Sequence, residues 1–184
     1  MLRYIFIIFF SVLLNSNLHS EIVKKFSVEG NKRISDETIK IYGDIKLNQE
    51  YSENDLNEIL RSLYETEFFE DIKVNLKNNV LTISVKEYPF INQLVITGEK
   101  SKKYIEQIKK IIKLKEKRSF ITSYLANDIE RIKNLYSSVG FNSSKVEIKT
   151  RKIDSNSFDL LIEIDRGNKT KIKSINFIGN KKIN

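Results

Sequence analysis

The stretch Phe26-Ser27-Val28-Glu29-Gly30-Asn31 decides the fold, because it returns twice further along the chain. The later copies are Leu94-Val95-Ile96-Thr97-Gly98-Glu99 and Ile175-Asn176-Phe177-Ile178-Gly179-Asn180. In each copy apolar residues alternate along a short strand that ends at a Gly, which tolerates the positive φ needed where a chain turns out of a sheet. One such strand is common, but three copies at the spacing of a small domain predict a tandem array of one domain type.

The first twenty residues have the layout of a secretory signal peptide. A positive charge at Arg3 precedes an apolar run from Ile5 to Leu14, and a short polar segment follows. The run is about ten residues long, whereas a bilayer span takes about twenty. We therefore predict export, with cleavage between Ser20 and Glu21. Leu18 is larger than the residue usual at its position, so an uncleaved anchor stays open as an alternative.

Composition narrows the range of functions. The 184 residues are 40% apolar and 30% charged, with one Pro and six Gly, as in a globular protein. The chain has no Cys, and its single His, His19, lies in the predicted signal peptide. Imidazole and thiol chemistry, disulfides, and metal sites built from Cys or His are therefore excluded from the mature chain. We predict that the protein is not an enzyme and binds no metal or cofactor.

Residues 21–88 predict one unit with the order strand, helix, helix, strand, strand. Ser35 can cap the first helix, and Ser52 with Asp55 can cap the second. The apolar stripes of these helices are Ile39, Tyr42 and Ile45, and then Leu56, Ile59, Leu60, Leu63 and Tyr64. The apolar period changes to two on both sides of Asn78-Asn79, a pair that tolerates positive φ and so predicts a hairpin.

Residues 89–168 repeat this order, and residues 169–184 would supply the first strand of a truncated third unit. The second pair of helices is marked by Tyr104, Ile108, Ile111 and Ile112, and by Leu125, Ile129, Ile132 and Tyr136. Leu135-Tyr136 precedes Gly140-Phe141 much as Leu63-Tyr64 precedes Phe68-Phe69, and we predict core positions for these aromatics. The fold class is therefore α+β, with each three-stranded mixed sheet packed on two helices.

The formal net charge of +8 is compatible with an anionic partner. However, the longest basic stretch, Lys109 to Arg118, is interrupted by apolar residues at helical spacing, which indicates a solvated helix face. The same order of elements occurs in KH domains, which clamp nucleic acid with a Gly-x-x-Gly loop. Neither loop between predicted helices, Lys46 to Tyr51 or Lys115 to Phe120, contains a Gly. We predict no nucleic-acid partner.

Three motifs in order resemble a known family. They are Gly-Asn-x-Arg-Ile-Ser within Val28 to Ser35, Leu-Tyr-Glu-Thr-x-Phe-Phe-Glu-Asp-Ile-x-Val from Leu63 to Val74, and Val-x-Glu-x-Pro-x-Ile from Val85 to Ile91. This set resembles POTRA domains, the polypeptide-transport-associated repeats. More specifically, it is similar to the N-terminal periplasmic repeats of the BamA family of outer membrane protein assembly factors.

Three positions depart from the family pattern. Glu67 stands where the family has Gly before the Phe, although the second unit keeps Gly140 there. Asn48-Gln49 replaces a Gly-acid pair between the helices, and Glu99 replaces the Asn that follows the strand-ending Gly. All three lie in predicted turns, so they affect loop geometry rather than the fold.

The resemblance implies a location on the periplasmic face of the outer membrane, ahead of a membrane-embedded β-barrel. It implies that the repeats receive unfolded outer membrane proteins, dock accessory lipoproteins of the assembly complex, and pass clients to the barrel for insertion. The barrel is not in this sequence, so on this interpretation the chain is a fragment of a longer product.

The predicted docking sites are strands at the edges of the two sheets. The last strand of each unit is the more evenly apolar, so we place it centrally and the preceding strand at the edge, where its backbone can pair with an extended client by β-augmentation. The candidate residues are Ile72, Lys73, Val74, Asn75 and Leu76, and Val146, Glu147 and Ile148. Lys73 and Lys77, and likewise Lys145 and Lys149, fall on outward positions, which is how proteins protect an edge from aggregation, and for either edge taken singly this protective role is the favoured interpretation.

Two other functions stay open. One is a division protein with a single POTRA-like domain behind an uncleaved N-terminal anchor, against which the second copy at Leu94 counts. The other is the periplasmic region of a two-partner secretion transporter, which also carries repeats ahead of a barrel.

Overall fold

A computed structural model describes residues 20–176, and its backbone forms two compact units that divide between Tyr88 and Pro89. Unit 1 contains β1 (Glu21–Ile22), β2 (Lys25–Glu29), α1 (Asp36–Tyr42), β3 (Glu50–Tyr51), α2 (Glu53–Glu65), β4 (Phe69–Lys77) and β5 (Val80–Glu87). Unit 2 contains β6 (Phe90–Thr97), α3 (Lys102–Ile111), α4 (Tyr124–Ser138), β7 (Lys145–Lys152) and β8 (Ser157–Asp165). The predicted α+β class and the order of the main elements are confirmed.

The last strand of each unit lies at the centre of a three-stranded sheet. The strand order is β2-β5-β4 in unit 1 and β6-β8-β7 in unit 2. β2 and β6 run parallel to the central strands β5 and β8, because two helices lie between each parallel pair in the chain. The hairpin partners β4 and β7 run antiparallel to the central strands. The predicted central position of β5 and β8 is therefore confirmed. The most buried side chains of these two strands, Leu81, Ile83, Leu160 and Ile162, all belong to the hydrophobic cores.

The helices of unit 1 begin where predicted, because polar side chains cap them. Ser35 Oγ accepts a hydrogen bond from the Thr38 N–H at 3.2 Å, and Ser52 and Asp55 form a reciprocal capping box. The predicted apolar stripe of the first helix, however, extends beyond the end of the helix. The helix ends at Tyr42, whose side chain is 51% exposed, and Ile45 reaches the core from the loop beyond it.

The Leu-Tyr pairs at the ends of α2 and α4 do not occupy equivalent positions in the two units. Each is followed by a residue with positive φ, Glu67 at 58° and Gly140 at 93°. One turn before that residue lie Leu63 and Tyr136, and both are fully buried. Tyr136 therefore occupies the place of Leu63. The predicted core position of Tyr64 is wrong, because its side chain is 40% exposed.

A buried aliphatic residue at the start of each unit holds the loop between the helices. The Val23 N–H donates to the Gln49 carbonyl at 2.9 Å, and the Val23 carbonyl accepts from the Asn48 N–H at 2.7 Å. Ile91 makes the corresponding pair of bonds in unit 2. Asn48 has a φ of 62°, a conformation that Asn tolerates, so the departure from the Gly-acid pattern preserves this loop.

Two predicted segments fall largely outside the described residues. The predicted signal peptide lies there except for Ser20, which is exposed; Glu21 begins β1, and its carboxylate accepts a hydrogen bond from the Asn79 N–H. Residues 177–184, which hold most of the predicted third strand, also lie outside. Ile175 and Asn176 are described and belong to no strand.

The backbone just after β2 and just after β6 lies too close to the central strand to leave room for a side chain. A Cβ at Gly30 would lie 2.2 Å from the Val85 carbonyl oxygen, and one at Gly98 would lie 1.9 Å from that of Ile164. Both glycines also have positive φ, 86° and 81°. Two independent constraints, space and backbone conformation, therefore require Gly at these positions.

We expect Gly98→Ala to lower the free energy of unfolding by about 3 kcal/mol or more, because the clash with a backbone oxygen adds to the cost of positive φ. Gly140→Ala is the matched control. It shares the positive φ, but its Cβ would meet only the flexible side chain of Lys169, so we expect a loss of about 1 kcal/mol. Urea unfolding of both variants measures the difference, and equal losses would show that the close approach contributes nothing.

Candidate docking edges

The structure brings the five predicted residues of unit 1 together on one outer strand. Within the described residues β4 pairs with β5 alone, so its other side is an edge. Ile72 is buried on the helix-facing side of the sheet, and Val74 and Leu76 are half-buried there. Lys73 and Asn75 are exposed on the opposite face. A second strand added at this edge would therefore meet an apolar side and a polar side.

The predicted residues of unit 2 occupy the matching edge. β7 pairs with β8 alone in the described part of the chain. Val146 is buried, Ile148 is half-buried and Glu147 is exposed. The two sets of predicted residues lie in separate sheets, so they form two candidate edges rather than one site.

Charge protects the β7 edge more than the β4 edge. Lys149 forms an ion pair with Glu163 on the central strand, and Arg151 Nη2 lies 2.6 Å from Asp159 Oδ2. These contacts raise the pKa of Lys149, and the Arg151 guanidinium, with help from Asn92, holds the pKa of Asp159 below its usual range. On β4, Glu70 pairs with Lys86 of the central strand at 2.8 Å near the start of the strand, but Lys73 makes no ion pair with any described residue. The β4 edge is thus the less constrained of the two.

The corner at which β2 ends is closed by a buried carboxylate. Oε1 of Glu87, the last residue of β5, accepts hydrogen bonds from the N–H groups of Lys32, Arg33 and Ile34 at 2.7 to 2.9 Å. Nε of Arg33 lies 3.8 Å from the other carboxylate oxygen. One acidic side chain therefore satisfies three backbone donors in the turn after Gly30.

The same corner in unit 2 is built with the charges exchanged. Arg166 stands at the position of Glu87, and the acid is now Glu99, in the turn itself. The Tyr136 hydroxyl donates to Glu99 Oε2, and the Ser101 N–H donates to Oε1, both at 2.7 Å. The departure from the family Asn at this position thus supplies the acceptor that the buried Tyr136 hydroxyl needs.

Electrostatics fixes the protonation states in this corner. Burial alone would raise the pKa of Glu99, but hydrogen bonds from Tyr136 and Ser101, with the charge of Arg166, offset it and leave that pKa below its ordinary value. Burial and the neighbouring Glu99 carboxylate raise the pKa of Tyr136. At neutral pH the pair is therefore an ionised carboxylate and a neutral phenol.

Sequence reasoning missed two structural features. Asp128 is fully buried on α4, where it accepts hydrogen bonds from the N–H groups of Lys113 and Leu114 and pairs with Arg131 at 2.6 Å. The signal for this feature in the sequence was an Asp among the apolar residues of the α4 stripe, next to Ile129. The second feature is that β2 and β6 are outer strands too, because the order of strands in a sheet depends on topology rather than on local pattern.

Other kinds of site are not seen in residues 20–176. No group of Asp, Glu, His or Cys there could hold a metal ion. None of the helices in this range is long and apolar enough to cross a membrane.

Comparison with known proteins gives matches over both units. The family model described as "POTRA: Surface antigen variable number repeat" matches residues 21–88 and 89–167. The outer membrane protein assembly factor BamA of Neisseria meningitidis serogroup B is 31% identical over 161 residues, which are 86% of this chain and 20% of that protein. BamA of Buchnera aphidicola is 28% identical over 178 residues, 95% of this chain and 28% of that protein. The chain thus spans well under a third of the length of these relatives.

A solved structure shares the fold. The N-terminal domain of Omp85 from the thermophilic cyanobacterium Thermosynechococcus elongatus superposes with a TM-score of 0.50 at 15% sequence identity. The match covers 87% of this chain and 74% of that one. At this level of identity the likeness concerns the fold alone.

We expect Tyr136→Phe to lower the free energy of unfolding by about 1.5–3 kcal/mol near neutral pH, because a buried hydrogen bond to an ionised carboxylate is lost. The folded-state pKa of Glu99 is lowered, so the stability linked to it is present above the unfolded-state pKa and is lost as the pH falls through the folded-state value. The difference in the free energy of unfolding between the wild type and the variant should therefore become smaller in acidic buffer.

Urea unfolding at both pH values measures this effect. Tyr64→Phe is the matched control, since the half-exposed Tyr64 hydroxyl only accepts a hydrogen bond from the Ile72 N–H at 3.2 Å. We expect it to cost less than about 1 kcal/mol with no dependence on pH. A Tyr136→Phe loss that stayed constant down to acidic pH would contradict the role given to Glu99.

Proposed function

The chain belongs to the POTRA family, whose model matches both of its units, and from that premise we propose that it is a periplasmic part of an outer membrane β-barrel assembly protein. The 31% identity to a BamA protein over 86% of the chain is the observation that carries the proposal. The predicted resemblance to this family is confirmed by these matches. We further propose a signal peptide at 1–20, POTRA domains at 21–88 and 89–168, and the first strand of a third domain in 169–184.

The proposed role is to receive unfolded outer membrane proteins by strand addition. An outer strand leaves one side of its backbone N–H and C=O groups free to pair with an extended peptide. Backbone pairing depends little on client sequence, which suits a receptor for many different barrel strands. The nine-residue β4 supports this assignment best, since it is long, outer, half-buried on one side and free of ion pairs at Lys73.

The β7 edge is proposed as a second contact for clients. Two of its outward cations, Lys149 and Arg151, already pair with Glu163 and Asp159, so a client strand would have to fit around charged pairs that are held in place. Such pairs select against most partners more than they attract one. On this view β4 accepts strands broadly, and β7 is the more selective edge.

The remaining partners follow from the family. Accessory lipoproteins of the assembly complex are proposed to dock on the repeats, and a C-terminal barrel in the longer product is proposed to insert the client. The chain would then lie on the periplasmic face of the outer membrane. Two units that both match the family model disfavour a division protein with one such domain.

Paired proline substitutions on β4 test strand addition. Consecutive N–H groups of a strand point to opposite sides, so one of Lys73→Pro and Val74→Pro removes a ladder bond to β5, while the other removes a donor on the free edge. We expect both to reduce crosslinking of unfolded clients about tenfold, the equivalent of one lost hydrogen bond or more. Only one of the two should lower the stability substantially.

The assay is photo-crosslinking in the native envelope from a crosslinker placed at the exposed Asn75, with urea unfolding of the same variants as the measure of stability. If the variant that keeps its stability also keeps full client crosslinking, β4 is not the docking edge. The same pair of substitutions on β7, Lys149→Pro and Thr150→Pro, shows whether the effect is specific to one edge.

A further inference from the structure

The outer strand β6 carries no charged side chain. Its eight residues, Phe-Ile-Asn-Gln-Leu-Val-Ile-Thr, differ in this from the other outer strands of the two three-stranded sheets, each of which contains Lys or Arg. Its counterpart β2 is short and has Lys25 and Glu29 at its two ends. Outer strands are normally protected by charge, Pro, a bulge or small length. The only such feature within β6 is a bulge between Ile91 and Gln93, so Gln93 to Thr97 are unprotected.

The start of β6 is covered, but the rest of its outer side is not. The Ile91 N–H donates to the Arg118 carbonyl at 2.8 Å, and the Ile91 carbonyl accepts from the Lys117 N–H at 2.7 Å. Beyond the bulge, Gln93 to Thr97 pair with β8 alone within the described residues of unit 2. Val95, in the middle of this segment, is 46% exposed.

An apolar depression lies on the helix-facing side of this edge. It is lined by Leu94, Ile112 and Leu114, and Lys109, Lys115 and Glu116 form its rim. Lys109 also forms an exposed ion pair with Glu106 at 3.4 Å, a contact of little energy that a carboxylate of a bound strand can replace. Ile112 and Leu114 come from the loop after α3, so the depression lies between that loop and β6. Side chains at alternate positions of an added strand would face this rim and its lysines, and their neighbours would lie on the other side of the sheet, beside Val95.

The basic rim is a property of unit 2 and not of the fold. From Lys100 to Arg118 the sequence has nine Lys or Arg and two Glu, whereas the corresponding residues 32–49 of unit 1 have four basic and three acidic residues. Lys102 and Lys103 stand in the first turn of α3, where cations oppose the helix dipole. Helix stability therefore does not account for these two lysines, whereas Lys109 and Lys110 lie in the last turn, where cations are favourable.

We propose that the outer edge of β6, from Gln93 to Thr97, docks an extended polypeptide segment that carries carboxylates at alternate positions. The inference rests on the proposed function, in which clients arrive as extended strands, but it assigns an edge other than β4 and β7. The free N–H and C=O groups of β6 extend the sheet, and the lysines of the rim select acidic side chains. An anionic lipid surface would meet the lysines but would leave this backbone edge unpaired.

A single introduced cysteine locates the bound strand, because the chain has no Cys. Thr97→Cys and Glu147→Cys form a matched pair. Both native side chains are exposed, and both lie opposite Glu163, one on each side of the central strand. Glu147→Cys also removes an acid from β7, which biases the comparison against the proposal.

The probe is a short synthetic peptide of alternating Val and Glu with one central Cys, mixed with each full-chain variant in a glutathione redox buffer. Mass spectrometry measures the disulfide adduct, and thermal melting shows that the variants are folded. We expect about tenfold more adduct at Thr97→Cys than at Glu147→Cys, and a similar loss when Lys109→Glu and Lys115→Glu are added to Thr97→Cys. A matching peptide with Lys in place of Glu should give little adduct with Thr97→Cys.

The other outcomes overturn the proposal in distinguishable ways. Equal or greater adduct at Glu147→Cys would place acidic strands on β7 and leave the proposed function standing. Disulfide-linked pairs of the chain without peptide adduct would make β6 an interface between copies. Binding to phosphatidylglycerol vesicles that depends on Lys109 and Lys115, without peptide adduct, would assign the rim to lipid. Absence of peptide adduct at both cysteines would count against strand reception itself.

Discussion

The close approach between the end of the first strand and the central strand is the constraint on which each unit depends. With a Cβ excluded at Gly30 by the Val85 carbonyl, and at Gly98 by that of Ile164, only a glycine lets the two strands converge there. At that point the parallel ladder ends, and the chain turns toward the first helix of the unit. The close approach also brings Glu87 of unit 1, and Arg166 just after β8 in unit 2, close to the turn, which is where the buried carboxylates of the corners are found.

The two corners solve one problem with opposite arrangements of charge. A turn that leaves a sheet has backbone N–H groups without ladder partners, and burying them without acceptors would cost free energy. In unit 1 the acceptor comes from the strand, at Glu87, and the nearby cation from the turn, at Arg33. In unit 2 the acid is in the turn, at Glu99, and Arg166 is on the strand side. The requirement is therefore for one buried carboxylate in the corner, whichever segment supplies it.

Local pattern predicted most of the fold, and it failed where tertiary context decides. Caps at Ser35 and Ser52, and alternation around Leu81 and Ile83, could be read directly, because each depends on neighbours in sequence. The equivalence of Tyr136 with Leu63 could not be predicted in this way. It depends on the distance from a residue with positive φ, which is Gly140 in unit 2 but Glu67 in unit 1. For the candidate edges, the central position of the last strand followed from its even apolarity. The absence of charge from β6 was visible in the sequence, but it gains meaning only once β6 is known to be an outer strand.

The corner also bears on what the β6 edge can recognise. β4 and β7 are held by hairpin turns, whereas β6 is held by its parallel ladder, by the two backbone bonds of Ile91 and by the corner at Gly98. Glu99 follows that glycine directly and stands three residues before the lysines that open α3. Because its carboxylate is buried and accepts the hydrogen bonds of Tyr136 and Ser101, it does not neutralise those lysines at the surface. The interaction that fixes the end of β6 thus keeps Glu99 from offsetting the positive charge beside this edge, where Lys109 pairs with Glu106 at 3.4 Å and Lys115 forms no ion pair with a described residue.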